Sequence, residues 1–381
     1  MSTDGVVDEE TSEGAASEVS AGSDGGARGI SVVVPVKGRV EQLRELLASM
    51  AVAMRQCPEP AEVLVVDDSS PTDTERHRAN CRQYGARYVR GPRHVGAKRN
   101  LGARLASYDL VLCMDSDCRA DADLLRRHVS SLRNAPPDVA GVNGPALLVH
   151  SDTTIFRIMK RSYLLNGDLE RALYYRRLPW ATTCNLVVRK SAWEAVGGFP
   201  EQSLTVVAGE DVDFGLRLTD AGYEIRCDPD ARVEHASNSS DNLRSVLRRL
   251  FTYGRSEQWL CVAYPHRRRL VPNLVAVLAA TTAAATAAVP RTGPHGLLAI
   301  PAVAAVVLAS RTRSHLDGER TPRAALDAAA CALIECCFDL GAAVAAFQLR
   351  RPHLVLYGFR PAEDATARGH GSSEPQDDGR S

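Results

Sequence analysis

The sequence has no excess of charge of either sign, since its 381 residues include 46 Lys and Arg and 46 Asp and Glu. The basic residues are also scattered, so nothing indicates the concentrated positive surface of a nucleic-acid-binding protein. The ten cysteines occur singly or as the pair Cys336 and Cys337, without CxxC spacing or regular intervals. This pattern argues against a structural zinc site or a disulfide framework and favours reduced thiols in a cytosolic compartment.

Two further features are missing. No G-x-G-x-x-G follows the first apolar strand, where the sequence reads PVKGR, so the dinucleotide fingerprint of an oxidoreductase has no support. Residues 1–29 contain no long apolar run and are rich in Ser, Gly, Ala, Asp and Glu. We expect them to form a disordered acidic tail rather than a secretory signal, with the fold starting at Ile30.

Strand-like and helix-like segments alternate regularly from Ile30 onward. Residues 30–36 form a continuous β-branched run, typical of a strand that is buried on both faces. The next segment carries an apolar helix face at i, i+3, i+4 and i+7, made by Leu43, Leu46, Leu47 and Met50. Strands separated by helix-length crossovers predict an α/β fold with a doubly wound, mostly parallel sheet.

Two of the predicted strands end in paired carboxylates. Asp67 and Asp68 follow the strand at 63–66, and Asp115 and Asp117 follow the strand in LVLCMDSD. Ligands bind at the carboxyl ends of strands in such sheets. Residues i and i+2 at a strand end project to the same side, so Asp115 and Asp117 can approach one Mg²⁺ or Mn²⁺ that also holds substrate phosphates. The alternative is that this pair only forms a turn that ends the strand.

Six strings together give the chain a resemblance to glycosyltransferase family 2, which has the GT-A fold, over about residues 30–259. They are SVVVPVKG, VLVVDDSS, GAKRNLG, CMDSDC, CNLVVRKSAWEAVGGF and GEDVDFGLRL. Each is weak alone, but their number, order and spacing make a specific pattern. The resemblance implies an inverting hexosyltransferase that moves a sugar from a nucleotide-sugar donor to an acceptor hydroxyl, with Mg²⁺ or Mn²⁺ as cofactor.

The resemblance also implies donor-binding residues. Pro35, at the end of the first strand, and Asp67 are implied to bind the nucleotide. Asp68 either shares this role or caps the next helix. Lys98 and Arg99 open a helix near the same crevice, where a helix N-terminus and cations both favour a diphosphate. Arg99 matches the R-N-x-G position of the family and is therefore the predicted ligand, whereas Lys98 is predicted to be a solvated surface charge.

The remaining roles concern the metal and the proton. Asp115 and Asp117 are implied to hold the metal that neutralises the leaving diphosphate, with Asp115 also contacting the donor. His235 is implied to be a third metal ligand, because relatives often place a histidine after the acidic helix; the alternative is a packed or surface side chain. Asp211 is implied to be the general base, and Glu210 to orient the base or the acceptor.

The segment His150 to Thr183 separates the predicted metal and base motifs. It carries the aromatic residues Tyr163, Tyr174, Tyr175 and Trp180 among many arginines. These rings could stack on a sugar or an apolar acceptor, or they could pack in a helical core. The segment Arg248 to Leu260 lacks the string Q-x-x-R-W that processive synthases of this family usually carry, which favours single or few-step transfer.

Beyond residue 262 the composition becomes apolar. Residues 263–349 predict a helical region with a transmembrane hairpin at 270–289 and 296–310 and a third helix at 324–347, interfacial or packed on the hairpin. Arginines before the first span and after the second predict that both hairpin ends are cytoplasmic, which places the domain at 30–262 at the inner face of the cell membrane. The alternative is a soluble helical subdomain. Residues 350–381 are predicted to be a tail, disordered from about 361.

Three carboxylates interrupt the third apolar stretch, at Asp327, Glu335 and Asp339. Charged groups in such a helix are costly unless they face a partner or water. Two functions other than glycosyl transfer fit the same sequence: a nucleotidyltransferase that makes nucleotide sugars, and a non-catalytic, membrane-associated scaffold. The acceptor, whether lipid-linked, peptide, glycan or small molecule, stays open.

Overall fold

An eight-stranded mixed sheet forms the centre of the protein. The computed structural model describes residues 26–201, 208–236, 241–271, 273–316 and 318–360. The strands are β1 Ala27–Val36, β2 Ala61–Asp67, β3 Arg87–Arg90, β4 Tyr108–Met114, β5 Cys118–Ala120, β6 Val139–Asn143, β7 Ala146–Leu148, β8 Arg177–Leu178, β9 Asn185–Arg189, β10 Glu224–Cys227, β11 Val233–His235, β12 Arg268–Leu270 and β13 Tyr357–Phe359.

Helices cover both faces of this sheet and continue into the C-terminal region. They are α1 Val40–Gln56, α2 Pro71–Tyr84, α3 Val95–Leu105, α4 Leu124–Arg133, α5 Thr154–Met159, α6 Tyr163–Asn166, α7 Arg171–Tyr174, α8 Lys190–Ala195, α9 Glu210–Asp220, α10 Leu243–Ala263, α11 Leu274–Thr292, α12 Ala299–Ser314 and α13 Pro322–Gln348. Short 3-10 helices occur at Pro265–Arg267, Gly293–Leu298 and Pro352–Leu356.

The main sheet has the order β3-β2-β1-β4-β9-β6-β10-β8. Strands β3, β2, β1 and β4 are parallel, whereas β9 runs antiparallel to both of its neighbours, β4 and β6. A second sheet has the order β5-β11-β7 and lies just past the end of β4. The predicted α/β fold with a mostly parallel sheet is confirmed, and the antiparallel β9 is the feature that the sequence pattern did not reveal.

Alternation along the strands supplies a core on each face of the sheet. In β1, Ile30, Val32, Val34 and Val36 pack with α1 and α4, while Val33 packs into the opposite cluster. The predicted apolar stripe of α1 is fully buried in the first cluster. Burial of both faces explains why β1 reads as a continuous apolar run.

The chain enters the fold slightly earlier than predicted. Strand β1 begins at Ala27, which pairs with Tyr108 of β4, so residues 27–29 belong to the sheet rather than to the acidic tail. The rest of the predicted tail, residues 1–25, lies outside the described residues, as does the tail after residue 360.

Helix α10 connects the sheet domain to the C-terminal helices and packs along α13. Gly254 and Gly341 make this close approach possible, because a Cβ on either would lie within 3 Å of backbone atoms of the other helix. The chain then returns, and β13 pairs with β12 at the end of α10. The predicted tail therefore contains ordered structure up to Phe359, and the sheet of β12 and β13 joins residues on both sides of the predicted boundary at 349.

Three helical segments are long and apolar enough to cross a membrane: Leu274–Arg291, Gly293–Ser314 and Pro322–Gln348. The first two are mostly exposed, whereas half of the third is buried against the rest of the protein. The carboxylates of α13 all have partners, as the sequence required. The ion pairs are Arg157 with Asp327, His315 with Glu335, and Arg311 with Asp339.

Candidate active site

A cavity of about 340 Å³ lies at the carboxyl end of β4. Its wall includes five of the predicted site residues: Arg99, Asp115, Glu210, Asp211 and His235. They come from α3, the end of β4, the start of α9 and the end of β11. The fold therefore brings together acidic motifs that are far apart in the sequence.

The start of α9 fixes two of these carboxylates. Gly209 has φ 81°, a left-handed conformation that favours glycine, and a Cβ there would lie 2.5 Å from Ser256 Oγ. The helix then begins at Glu210. The Val212 N–H donates to Asp211 Oδ1 at 2.9 Å, so a free N–H of the first helical turn orients this carboxylate.

Arg99 joins the two acidic motifs. Its guanidinium donates to Asp115 Oδ1 at 2.9 Å and to Glu210 Oε1 at 3.0 Å, and the residue is only 3% exposed. Burial opposes the charge of Arg99, but the two carboxylates raise its pKa above the ordinary value. In this arrangement Arg99 orients Asp115 and Glu210, and its contact with a diphosphate stays a prediction.

Asp211 has the protonation behaviour of a general base for neutral pH. Burial, together with the neighbouring charge of Glu210, raises the pKa of Asp211 to about 7. A carboxylate that titrates near the working pH combines a useful deprotonated fraction with good proton affinity. Asp115 behaves in the opposite way, because Arg99 lowers its pKa in spite of burial. The two carboxylates therefore suit different roles.

Asp117 lies beside the cavity, and its surroundings fit a divalent cation. Its Oδ1 is buried, has no hydrogen-bond partner in the described part of the chain and lies 3.9 Å from His235 Nε2. Ligand atoms of Asp117, Cys118 and His235 lie within 4.8 Å of one another. The Cys118 thiol is a poor ligand, because a hydrogen bond with Cys184 and burial raise its pKa well above the usual value. The carboxylate of Asp117 suits Mn²⁺ or Mg²⁺, and the imidazole of His235 offers one nitrogen ligand to a divalent cation.

The group around Asp117 differs from the predicted pair of aspartates. It contains Asp117 and His235 but not Asp115, which is paired with Arg99. The other oxygen of Asp117, Oδ2, accepts from Arg39 at 2.8 Å. Arg39 has φ 57°, which is unusual for a non-glycine residue and often marks functional positions. Sequence reasoning missed Arg39; its position just after the PVKG turn was the available signal.

The predicted nucleotide residues lie at a neighbouring strand end rather than in the cavity wall. Pro35 pairs with Val66 in the β1–β2 ladder. Asp67 is completely buried and accepts from the Ser69 N–H at 2.8 Å, Thr74 Oγ1 at 3.0 Å and Tyr88 Oη at 2.9 Å. Because these bonds use both oxygens, Asp67 holds the turn after β2 in this structure.

At this strand end the structure excludes one alternative, the helix cap by Asp68, and contradicts one prediction, the solvated Lys98. Asp68 does not cap α2, since the capping oxygen is that of Ser70, which accepts from the Asp73 N–H at 3.3 Å. Lys98 is not a solvated charge but is 4% exposed, pairs with Asp68 and donates to the Val36 carbonyl at 2.8 Å. Instead of capping α2, the Asp68 carboxylate forms ion pairs with Lys98 and Lys37.

The cavity also has side chains that sequence reasoning did not single out. Glu257 and Tyr253 come from α10, and Asp168 lies between α6 and α7. Trp180, one of the aromatic residues of the segment 150–183, lines the same cavity, whereas Tyr163 and Tyr174 are exposed. Nothing in the local sequence marks Glu257, because its position depends on how α10 packs against the sheet domain.

Comparisons with known proteins agree with this geometry. Residues 31–197 match the family model described as Glycosyl transferase family 2. A pre-mycofactocin glycosyltransferase of Mycobacterium tuberculosis is 30% identical over 246 residues, which cover 63% of this chain and 49% of that protein. Glycosyltransferase AglE of Haloferax volcanii is 29% identical over 204 residues, covering 51% of this chain and 63% of that protein. The chain therefore spans less than two thirds of the length of these relatives.

A solved structure shows the same fold. The mannosyltransferase PcManGT from Pyrobaculum calidifontis, in complex with GDP-Man and Mn²⁺, has a TM-score of 0.50 and 20% sequence identity. The match covers 84% of this chain and 86% of that chain. This likeness supports the predicted GT-A architecture, a mostly parallel sheet with helices on both faces.

Proposed function

Since residues 31–197 belong to glycosyl transferase family 2, we propose that the protein transfers a sugar from a nucleotide-sugar donor to an acceptor hydroxyl, with inversion at the anomeric carbon. The observation that carries this proposal is the single cavity that contains Asp115, Asp211 and His235. The reaction needs a region that binds a diphosphate and a base that activates a hydroxyl, and this cavity offers candidates for both.

Asp211 accepts the proton of the acceptor hydroxyl. The acceptor oxygen forms the new bond to the anomeric carbon, while the bond to the nucleoside diphosphate breaks on the opposite face. The proton stays on Asp211 until solvent removes it. The pKa of Asp211, about 7, suits this exchange near neutral pH.

Arg99 and Glu210 act as positioning residues. The guanidinium holds Asp115 on one side and Glu210 on the other, so the donor side and the base side of the cavity keep a fixed separation. Asp117 and His235, with Asp115 beside them, would hold Mg²⁺ or Mn²⁺, which when bound supplies positive charge to the leaving diphosphate. Arg39, at 2.8 Å from Asp117, adds a fixed positive charge next to the same region.

The test is nucleotide binding by the full-length protein in detergent. We expect one of UDP, GDP and TDP to bind in the presence of Mn²⁺ by calorimetry, and the affinity to fall at least about tenfold with EDTA or in Asp117→Asn. The matched control is Asp152→Asn, which changes a fully exposed carboxylate in the same way and should bind as the wild type does. Failure of all three nucleotides to bind in a metal-dependent way would overturn the proposal.

The same preparation also tests the alternative hypothesis that the protein is a nucleotidyltransferase. A nucleotidyltransferase would release pyrophosphate from a nucleoside triphosphate and a sugar phosphate. The proposed glycosyltransferase would instead release a nucleoside diphosphate from a nucleotide sugar. We infer non-processive transfer, because α10 lacks the Q-x-x-R-W string, and products extended by one or a few sugars are the expected outcome.

We further propose that α11 and α12 form a membrane hairpin that anchors the domain at the cytoplasmic face. Both ends of the hairpin meet the same part of α13: Asn273 donates to the Asp339 carbonyl at 3.1 Å, and Arg311 pairs with the Asp339 carboxylate at 2.6 Å. The two ends therefore lie on one side, as a hairpin requires. A protein anchored in this way should stay in the membrane fraction after carbonate washing, and release into the wash would contradict the anchor.

A further inference from the structure

Helix α10 contributes a wall of the cavity that the proposed chemistry does not use. Tyr253, Ser256, Glu257 and Leu260 line the cavity, and their spacing places them on one helix face. This wall lies beyond residues 31–197, so the family match gives its side chains no role. Helix α6 contacts α10 and contributes Leu164 and Leu165 to the same cavity.

Glu257 is the acidic group of this wall. Its Oε1 accepts from the Phe359 N–H at 3.1 Å, a bond that holds the carboxyl from behind. No cationic side chain within the described ranges forms an ion pair with it. Burial raises the pKa of Glu257 to about 7, so near neutral pH the group can both donate and accept hydrogen bonds.

Trp180 is a second residue of the cavity wall with a polar group that the proposed chemistry does not use. The residue is 7% exposed, and its indole N–H has no hydrogen-bond partner among the residues that the structure describes. Buried polar groups are normally paired, so an unpaired indole N–H in a cavity wall indicates a partner on a ligand. The Arg171 guanidinium, 5.6 Å from the ring centroid, and the packing of Gly215 hold the ring in place.

Gly215 lets Trp180 pack directly against α9, the helix that carries the proposed base Asp211. A Cβ at Gly215 would lie 2.6 Å from both Cα and Cβ of Trp180, so α9 contacts the backbone at this residue directly. Asp211 lies one turn before Gly215 on α9 and therefore on the same helix face. The indole is thus positioned relative to Asp211 by one rigid helix.

We propose that Trp180 and Glu257 bind hydroxyl groups of the acceptor, and that the unit of the acceptor in this cavity is itself a sugar ring. This inference rests on the proposed glycosyl transfer. A sugar ring presents apolar C–H faces to leucine side chains and hydroxyl groups at its edge, which matches a cavity lined by Leu164, Leu165 and Leu260 together with the polar groups of Trp180 and Glu257. A simple alkanol has one hydroxyl, used by Asp211, and would leave both groups unpaired at a cost of about tenfold in affinity each.

The experiment uses the full-length protein in a detergent without sugar groups, with Mn²⁺ and UDP-, GDP- and TDP-sugars. Release of nucleoside diphosphate is measured without acceptor, with octyl glucoside, mannoside and galactoside below their micelle concentrations, and with 1-octanol. We expect at least one octyl glycoside to accelerate release at least tenfold and to become glycosylated, whereas 1-octanol has no effect. Equal acceleration by 1-octanol would overturn the proposal.

Two variants test the residues themselves. Glu257→Gln keeps the shape and the bond to Phe359, and Trp180→Phe keeps an aromatic ring without the N–H. Each should raise the KM for the glycoside about tenfold, while the KM for the donor stays the same. Glu75→Gln, an exposed change on α2, is the control and should alter neither constant. An unchanged glycoside KM in both variants would refute the assignment.

The outcomes also separate this inference from the function on which it rests. Metal-dependent nucleotide binding together with no acceleration by any glycoside would overturn the sugar acceptor and leave glycosyl transfer standing. Absence of nucleotide binding would overturn both.

Discussion

Replacing Glu210 by glutamine should shift the pH dependence of the reaction. Glu210 is the charged group that, after burial, most strongly raises the pKa of Asp211, while Arg99 opposes it. Glutamine keeps an oxygen that can accept from Arg99 at the position of Oε1, now 3.0 Å from the guanidinium. The substitution therefore removes a negative charge next to the base with little change of shape.

The expected size of the shift in pH dependence follows from the two causes of the raised pKa of Asp211. Burial remains in Glu210→Gln, so the pKa of Asp211 stays above its ordinary value. The repulsion between neighbouring carboxylates is lost, and the unbalanced charge of Arg99 favours the ionised form further. We expect the rising limb of kcat/KM to move from about pH 7 to about pH 6, a tenfold fall in proton affinity. The plateau should fall by less than about tenfold, because a less basic carboxylate is a weaker base.

The assay is the rate of nucleoside diphosphate release between pH 5 and 9 at saturating Mn²⁺, for the wild type, Glu210→Gln and Glu75→Gln. The direction is fixed, since a base must be deprotonated to act, so activity rises with pH through its pKa. The control should keep the wild-type profile. A limb that stays in place or moves to higher pH in Glu210→Gln would refute the assignment of Asp211 as the titrating base.

Four substitutions test other parts of the site. Asp117→Asn and His235→Ala should each weaken Mn²⁺ binding at least about tenfold in calorimetry, and unchanged affinity would remove them from the metal site. Asp211→Asn should lower transfer by about 10²–10⁴-fold without changing donor affinity. Asp211→Asn should also be more stable than the wild type at pH 8, by on the order of 1 kcal/mol, and should lose this advantage by pH 4. The reason is that the raised folded-state pKa of Asp211 stabilises the folded wild type at acid pH. That contribution is lost as pH rises through about 7. Gly215→Ala should destabilise by about 1–3 kcal/mol in thermal unfolding, because its Cβ would overlap Trp180, and an unchanged melting temperature would contradict the close packing.

Periodicity predicted the elements of the first half of the chain well. The apolar stripe of α1 and the continuous apolar run of β1, buried on both faces, follow from local spacing. Strand β9 was not recognised as antiparallel, because strand direction depends on where the chain re-enters the sheet and not on its local pattern. The ordered strand β13 was missed for a similar reason, since its pairing partner β12 lies far back in the sequence.

The site was predictable in its members but not in their pairings. Asp115 could be found by type and spacing, the resemblance to family 2 implied Asp211 and His235, and the structure brings all three to one cavity. Sequence reasoning could not show that Arg99 bridges two acidic groups. Nor could it show that both oxygens of Asp67 accept hydrogen bonds from Ser69, Thr74 and Tyr88. Such pairings depend on three-dimensional packing, as does the position of Glu257 on α10.

The last ordered strand has a practical consequence for anyone who shortens this protein. Phe359 supports Glu257 through its backbone N–H, and the Tyr357 carbonyl accepts from Gln258 at 3.0 Å. Leu354 is completely buried and packs with Cys261 of α10 and Ala346 of α13. Because the sequence after residue 349 is polar, a truncation there looks harmless. It would remove the contacts that hold α10 beside the cavity, and we expect it to lower turnover although every catalytic group is retained.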